Sequence, residues 1–573
     1  QPWEHWGDSI HKQPPGSNRF FAIRRARRRM KAGSAPGVVV GSQDMTSSLP
    51  RPAGLGWPAV LVVALSLSIG WGIRGNFGHE FGAMIPGGLA ALAGALLTGR
   101  GDWHRRAAYF AFFGALGWSF GGSISYMMVI AYTHSGHSPS VLYGFASLFL
   151  IGFLWAAMGG AGTALPIFLS GAELVELFPP LTAVFAGWEL QDRVIERWFS
   201  GGSEFRHQSP LYWYDTDWVA ALVAVLAVGV LAGVRRRWDR GSSLILHMAL
   251  GWWAGFLVLV PWLGLRMTPP RGDNWSGCLG MVAGMWVFFQ RRGLPGLTWA
   301  SLLCGLFGGF GFATAAFLKL AGMTSGWQTN WHSVLEQTYG FLNGLGVAAL
   351  FLWLAPRAPR LEETPPARCW THYYAGGFLL LVVTYLNLVK NVPVWVEAKA
   401  IPAVMGGMAA ATWFNLAYGL AAGAFLLLAW NHARGGVEVT LLPSTPRGRG
   451  ELLYLLFLWC MVIGNFERAL VSFTPQRLVT EGVVFLNAIL CTVGLILVRR
   501  PAPAPPPPGG IAWGGVLRRT AWVGMAAALL VTGLEWGGTR LIYGDRPAAN
   551  ARPQVRFGPG SPVDHPKSGE PHP

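Results

Sequence analysis

The amino-acid sequence predicts an all-α polytopic membrane protein, a transmembrane helical bundle with about 15 crossings. Apolar residues make up 52% of its 573 residues and charged residues only 12%, against about 25% charged residues in a typical soluble domain. Apolar runs near the length that a helix needs to span a bilayer recur along the chain. The 29 tryptophans and 77 glycines suit membrane interfaces and close helix packing in lipid.

The positive charge is distributed as membrane topology requires. The formal net charge is +17, and its arginines cluster in short loops between apolar runs, for example Arg105-Arg106 and Arg235-Arg236-Arg237. This is the pattern of the positive-inside rule rather than of a nucleic-acid footprint. We therefore expect a multi-pass protein of the cell membrane, specifically of a bacterial inner membrane. Its N-terminus is expected to be cytoplasmic, and membrane lipids are its expected partners.

Both ends of the chain differ from the apolar middle. Residues 1–55 are mixed in composition and strongly basic, and we predict a disordered cytoplasmic segment. Because the chain begins at Gln1, we expect Met45 to be the native start and residues 1–44 to lie outside the native protein. The tail, residues 544–573, is rich in proline and polar residues and is predicted to be disordered and extracytoplasmic.

The apolar segments divide into three groups. The first unit, residues 56–240, contains segments 57–73, 81–98, 107–133, 141–169, 172–197 and 217–234. The second unit, residues 241–434, contains segments 244–265, 275–290, 296–321, 335–355, 371–391 and 403–430. Residues 450–543 contain segments 452–473, 478–498 and 512–538. Segment 172–197 holds Pro179-Pro180 and several charges, and it is predicted to be a short or broken crossing because the arginines that follow segment 217–234 must be cytoplasmic.

The two six-helix units resemble each other in sequence. Gly72-Ile-Arg74 corresponds to Gly264-Leu-Arg266, and Tyr143-Gly-Phe145 corresponds to Tyr339-Gly-Phe341. Near the latter match the second unit inserts Glu336-Gln-Thr338. The period is about 192 residues, and an even number of crossings per unit makes the repeat parallel. A short match at Ile463–Arg468 suggests a partial third copy.

Polar interruptions at equivalent positions are the predicted functional residues. Charged groups at membrane depth are costly unless they are buried in protein or face water. Because the repeat places the breaks on one side of the membrane, we expect them to meet at one cavity between repeats and to bind substrate. The predicted substrate-binding residues are Arg74, Asn76, His79, Glu80, Arg266, Asp273 and Asn274. Glu80 and Glu189 are the candidates for proton coupling.

Secondary candidates lie on the same predicted side. Aromatic and polar side chains in the loops on this side could stack on sugar rings and form hydrogen bonds with them. A belt of Trp and Tyr at this depth is, however, typical of any membrane protein. These candidates are Trp327, Asn330, Trp331, His332, Glu467 and Arg468. Glu481 and Glu535 are further isolated carboxylates within apolar segments. No cofactor, metal site or catalytic residue is predicted.

The sequence leaves three functions open. A secondary transporter for a small polar or anionic solute fits the parallel repeat, and without a P-loop its energy must come from an ion gradient or a separate subunit. A membrane-embedded transferase that uses a lipid-linked donor is the alternative, although the short loops count against it. A non-enzymatic membrane scaffold is the third. An enzyme is the less favoured reading, and the sequence specifies no oligomeric state.

Overall fold

A computed structural model of the chain describes residues 56–78, 80–121, 124, 126–195, 198, 210–214, 216–267, 273–361, 370–434, 443–471, 474–498 and 510–544. All of them belong to one compact unit, Pro52–Pro573. The predicted disordered N-terminal segment and, apart from Gly544, the predicted tail lie outside these residues.

The described residues are almost entirely helical. The first predicted unit contains α1 (Trp57–Phe77), α2 (Glu80–Leu97), α3 (Gly101–His104), α4 (Ala107–Gly121), α5 (Met127–Thr133), α6 (Ser138–Phe168), α7 (Gly171–Leu190) and α8 (Asp217–Arg235). The second predicted unit contains α9 (Arg240–Leu257), α10 (Trp275–Arg291), α11 (Pro295–Met323), α12 (Trp331–Leu354), α13 (Trp370–Gly377), α14 (Thr384–Leu388), α15 (Asn391–Glu397) and α16 (Ala410–Ala433). The last helices are α17 (Pro446–Val471), α18 (Pro475–Leu497) and α19 (Trp513–Tyr543).

Short irregular elements complete the described part of the chain. The π-helical turns Gln191–Ile195 and Val258–Trp262 continue α7 and α9, and Phe378–Val383 joins α13 to α14. The strands β1 (Val404–Met405) and β2 (Met408–Ala409) form an antiparallel hairpin before α16.

The helices confirm an all-α protein of the polytopic membrane type. Among the described residues, nine helical stretches are long and apolar enough to cross a bilayer, and two shorter apolar helices, Phe81–Leu97 and Ala107–Phe120, accompany them. Every predicted apolar segment contains helix. The remaining helices at predicted crossings are α7, α10, α12 and α19, so the figure of about 15 crossings stays a prediction.

Two segments differ in detail from their sequence interpretation. Segment 107–133 is predicted to be one helix, but the structure has two, α4 and α5, with the non-helical residues Ile124 and Tyr126 between them. The sequence Gly121-Gly122-Ser123 has low helix propensity. Segment 172–197 is not broken at its prolines. Helix α7 runs through both of them, begins with a capping box between Ser170 and Glu173, and widens only at the π-helical turn.

The core lies around α1 and α6. In their apolar windows 78% and 72% of residues are buried, against 17% in α8 and none in α16. Helix α1 packs against α2, α12 and α18, and α6 packs against α4 and α11. The approach is close: a Cβ added to Gly70 would lie 2.3 Å from the Pro86 Cα, and one added to Gly152 would lie 2.3 Å from the Gly308 carbonyl oxygen. Arg74 thus sits on one of the most enclosed helices.

Candidate functional site

Arg74, near the end of α1, forms a buried ion pair with a distant helix. Its Nη1 donates to Glu336 Oε1 on α12 at 3.2 Å, and the two side chains are only 2% and 5% exposed. An unpaired charge at this depth would carry a large desolvation cost, so each group requires the other. The pair joins the first predicted unit to the second.

Aromatic and polar side chains enclose this pair. The Tyr126 hydroxyl donates to Glu336 Oε1 at 3.0 Å, and it lies 3.3 Å from His332 Nε2. The Arg74 guanidinium lies over the rings of Trp71 and Trp155, at 5.0 and 5.4 Å from their centroids. Cation–π contacts are strongest in such desolvated places. Of these partners, only His332 was among the predicted site residues.

The tryptophans beside Arg74 form a tight cluster. Trp71 stacks on Trp155 at 5.0 Å and meets the edge of Trp118 at 6.3 Å. The indole N–H groups of all three are buried and have no hydrogen-bond partner among the described residues. These rings exclude water from the ion pair, which strengthens the attraction between Arg74 and Glu336.

Asn76, two residues after Arg74, links α1 to the C-terminal helices. Its Nδ2 donates to Asn465 Oδ1 at 2.6 Å, and Arg477 Nη2 donates to Asn76 Oδ1 at 2.6 Å. Asn465 also donates to Glu481, and Arg477 Nε lies 3.8 Å from Glu481 Oε1. The asparagines come from matching Gly-Asn-Phe triplets, the second of them in the suggested third copy. The Asn76 network therefore joins three helices, α1, α17 and α18, and the Arg74–Glu336 pair adds α12.

Further basic groups meet the C-terminal end of α1. Lys390 Nζ donates to the Phe77 carbonyl, and Arg468 Nη1 donates to the Lys390 carbonyl at 2.9 Å. Cations at this end complement the helix dipole. Of the other predicted residues here, His79 lies outside the described residues. Glu80 begins α2, but its side chain is not described.

The second break folds on itself. Arg266 forms a buried ion pair with Asp273, whose Oδ1 also accepts from the Met267 backbone N–H at 2.8 Å. The Arg266 guanidinium lies 4.9 Å from the Tyr214 ring centroid. Asn274 Nδ2 donates to Asp217 Oδ2 at 2.8 Å. These contacts close a loop and attach it to the start of α8.

The two arginine pairs lie at different levels along α6. Arg74 contacts Trp155, whereas the Tyr143 hydroxyl donates to the Met267 carbonyl at 3.2 Å beside the second break. About 18 Å of helix rise separates Tyr143 from Trp155.

The remaining candidates have mainly local partners. Glu189 pairs with Arg193 at the exposed end of α7. Asn330 caps α12 by accepting from the Ser333 N–H at 3.2 Å. Trp331 Nε1 donates to the carbonyl of the exposed Trp327 at 3.1 Å. Away from the site, Glu535 accepts from Thr314 at 2.9 Å, and Glu467 is exposed.

Sequence reasoning missed Glu336, Tyr126, Asn465 and Arg477. A signal for the first was present: Glu336 opens the three-residue insertion by which the second unit departs from the first. A carboxylate inserted at the start of an apolar segment is a candidate partner for a buried arginine. Tyr126 and Arg477 carry no comparable signal.

The structure also contains a cavity of about 580 Å³, and none of the residues of this network lines it. Residues from 81–224 and from 241–386 line it, so both predicted units contribute walls. Most lining residues are Phe, Met, Leu, Val and Ala. Its polar residues gather mainly at one end, here called the polar end, which consists of Glu189, Gln191, Asp192, Thr216 and Asp217.

The cavity is long. Its lining residues on α7 and the following π-helical turn extend from Leu177 to Asp192, about 22 Å of helix rise. The hydrocarbon core of a bilayer is about 30 Å thick. Asp217 at the polar end is the acceptor of the Asn274 hydrogen bond, so the second break braces this end of the cavity.

No family model matches the chain, and no match was found among curated proteins or among solved structures.

Proposed function

We propose that the protein is a secondary transporter whose substrate site lies between two repeated six-helix units. The position of the cavity carries this proposal, because its walls come from both units and it extends over more than half of the hydrocarbon thickness. Transporters built from repeats typically bind substrate at the repeat interface near the bilayer midplane. The cavity, rather than the two arginines, is the substrate site.

Helix packing supports the repeat on which this proposal depends. Helix α1 packs against α2 as α9 packs against α10, and α4 packs against α6 as α11 packs against α12. Helices α17 and α18 also pack together, at the place of the suggested third copy. Equivalent helices thus form equivalent pairs.

Glu336 is the proposed proton-coupling residue, alongside the earlier candidates Glu80 and Glu189. It pairs with Arg74 across the two units, and its Oε1 also accepts from Tyr126. Protonation of Glu336 would remove the negative charge from the buried pair with Arg74, which favours a rearrangement of the units. A proton at this carboxylate would thereby bias the exposure of the cavity.

Labelling of Cys278 tests the proposal. This buried cysteine on α10 lines the cavity, and it becomes the sole thiol when Cys304, Cys369, Cys460 and Cys491 are replaced by serine. A membrane-impermeant maleimide is applied to right-side-out and to inside-out vesicles. Alternating access predicts modification of Cys278 from both sides.

A matched control retains Cys304 as the sole thiol. Cys304 is equally buried but lies on α11, where its side chain packs against Gly160 of α6 and does not line the cavity. It should stay unmodified in both vesicle preparations. Modification of Cys278 from one side alone would contradict the transporter.

The transferase with a lipid-linked donor is the second candidate. It is favoured by the carboxylates at one end of an otherwise apolar cavity, an arrangement that suits a lipid chain beside a general base. It predicts modification of Cys278 from the side of the polar end only. A scaffold predicts no modification from either side.

A further inference from the structure

We propose that the cavity binds a single-chain amphiphile with its apolar chain along α7 and a cationic head group at the polar end. This inference rests on the proposed transporter, since it names the chemical class of the substrate. The sequence alone favoured a small polar or anionic solute because of Arg74 and Arg266, and the tertiary structure changes that preference.

Neither arginine is available to an anion in the cavity. Arg74 pairs with Glu336 and Arg266 pairs with Asp273. No lysine or arginine among the described residues lines the cavity. Among the described residues, the lining therefore offers an anionic head group three carboxylates and no basic side chain.

The shape and lining of the cavity suit an alkyl chain. Phe113, Phe185 and Phe378 line it together with Met248, Met281 and Met285. Methionine side chains are flexible and adapt to irregular apolar ligands. The cavity extends about 22 Å along α7 but has a volume of only about 580 Å³, so it is long and narrow. A compact polar solute would leave most of this apolar surface without a partner.

The polar end suits a cation. Three carboxylates, Glu189, Asp192 and Asp217, line it, which places more acidic than basic groups at this end of the described lining. Trp188 lies one helical turn before Asp192 and also lines the cavity, with its indole N–H donated to the Ala220 carbonyl at 2.9 Å. An aromatic face next to carboxylates is typical of sites for quaternary ammonium groups. The Asn274 hydrogen bond holds Asp217 in place.

Equilibrium binding to the full-length protein tests the inference. The protein is placed in nanodiscs of phosphatidylethanolamine and phosphatidylglycerol, and radiolabelled hexadecyltrimethylammonium and hexadecanoate are titrated separately. Empty nanodiscs report partition into the lipid. We expect saturable binding of the ammonium compound, about tenfold tighter than that of hexadecanoate, because the polar end is acidic.

Variants separate the chain site from the head-group site. Ala224→Phe fills the cavity from α8 and should abolish saturable binding, and Ala220→Phe is a second filling variant if the first does not fold. Val230→Phe on the same helix is the control, since Val230 is 66% exposed and does not line the cavity. The double variant Asp192→Asn/Asp217→Asn should bind the two probes with equal affinity.

Several results would overturn the inference. They are equal binding of both probes to the native chain, a preference for hexadecanoate, or saturable binding that survives both filling variants. Cys278 labelling distinguishes this failure from failure of the proposed function. Labelling from both sides without ammonium binding removes the amphiphile and leaves the transporter. Ammonium binding with labelling of Cys278 from one side only removes the transporter and leaves the amphiphile site.

Discussion

Arg74 and Arg266 follow the same Gly-x step in the two units, and both are buried against a carboxylate. Their partners differ in kind. Glu336 is 262 residues away from Arg74 in sequence, whereas Asp273 follows Arg266 by seven residues. The first pair forms only when helices of both units assemble, and the second forms within one loop. Arginines at matching Gly-x-Arg steps thus serve a joint between the two predicted units in one case and a loop brace in the other.

The asparagines of the two breaks, Asn76 and Asn274, extend this contrast. Asn76 forms hydrogen bonds with Asn465 and Arg477 on the C-terminal helices, so the contacts of the first break depend on how α1, α17 and α18 pack together. Asn274 bonds to Asp217, which lines the polar end of the cavity. We therefore expect the first break to govern conformation and the second to govern the shape of the ligand site.

Removal of the Glu336 carboxylate should have the largest effect. Glu336→Ala removes one partner of a buried ion pair and should lower the free energy of unfolding by about 3–5 kcal/mol. Unfolding in mixed micelles, followed by tryptophan fluorescence, measures this loss. The double variant Arg74→Met/Glu336→Leu is the control and should lose less than the single variant. A loss in Glu336→Ala below about 1 kcal/mol would show that the pair contributes little.

Asp273→Ala is the matched change at the second break. Asp273 accepts from Arg266 and from the Met267 N–H. Its loss also breaks a buried ion pair and should lower the free energy of unfolding by about 3 kcal/mol. Hydrogen exchange should rise only near the loop and the start of α8. In Glu336→Ala it should rise in α1, α12 and α18. Exchange that spreads equally in both variants would remove the distinction between joint and brace.

Alanine at the two asparagines compares conformation with binding. Asn76→Ala should lower the free energy of unfolding by about 1–2 kcal/mol, because Asn465 and Arg477 each lose a partner. Asn274→Ala should instead weaken hexadecyltrimethylammonium binding several-fold through Asp217. Stability and binding are measured for both variants in the same nanodiscs. The reverse pattern would contradict the assignment of roles to the two breaks.

A third pair, Arg100 with Asp102, should give the smallest effect. It is local and lies at the start of α3, where Arg100 Nε and Nη2 donate to Asp102 at 2.8 and 2.6 Å. Burial raises the pKa of the Asp102 carboxyl, but the hydrogen bonds and charge of Arg100 outweigh this and hold the pKa below its ordinary value. Its stabilisation is complete above the ordinary carboxyl pKa.

That stabilisation should be lost as the pH falls through the lowered pKa of Asp102. Asp102→Asn removes the titrating group, so its stability should depend less on pH in this acidic range than that of the native chain. Thermal melting between neutral and acidic pH measures the difference. Identical pH profiles for the two proteins would show that Asp102 does not contribute to acid sensitivity.

Local properties of the chain determined most of the fold. Apolar composition and segment length predicted an all-α membrane protein, and every predicted segment contains helix. The polar breaks were also visible, since a charge in an apolar context is conspicuous in a single sequence. The division of segment 107–133 was not predicted, because its glycine run lies within an otherwise continuous apolar pattern. The insertion at Glu336 is visible in the sequence, but the sequence does not show that this carboxylate pairs with Arg74.

Only the tertiary structure decided the partners of these polar groups and the position of the cavity. Helix α1 is apolar on nearly every side, so its sequence does not distinguish the face toward α12 from the face toward α18. Lipid and protein interior are equally apolar surroundings, and helix packing in membranes therefore leaves a weak sequence pattern. The sequence by itself determined that Arg74 needs a buried partner, and the packing of distant helices determined that this partner is Glu336.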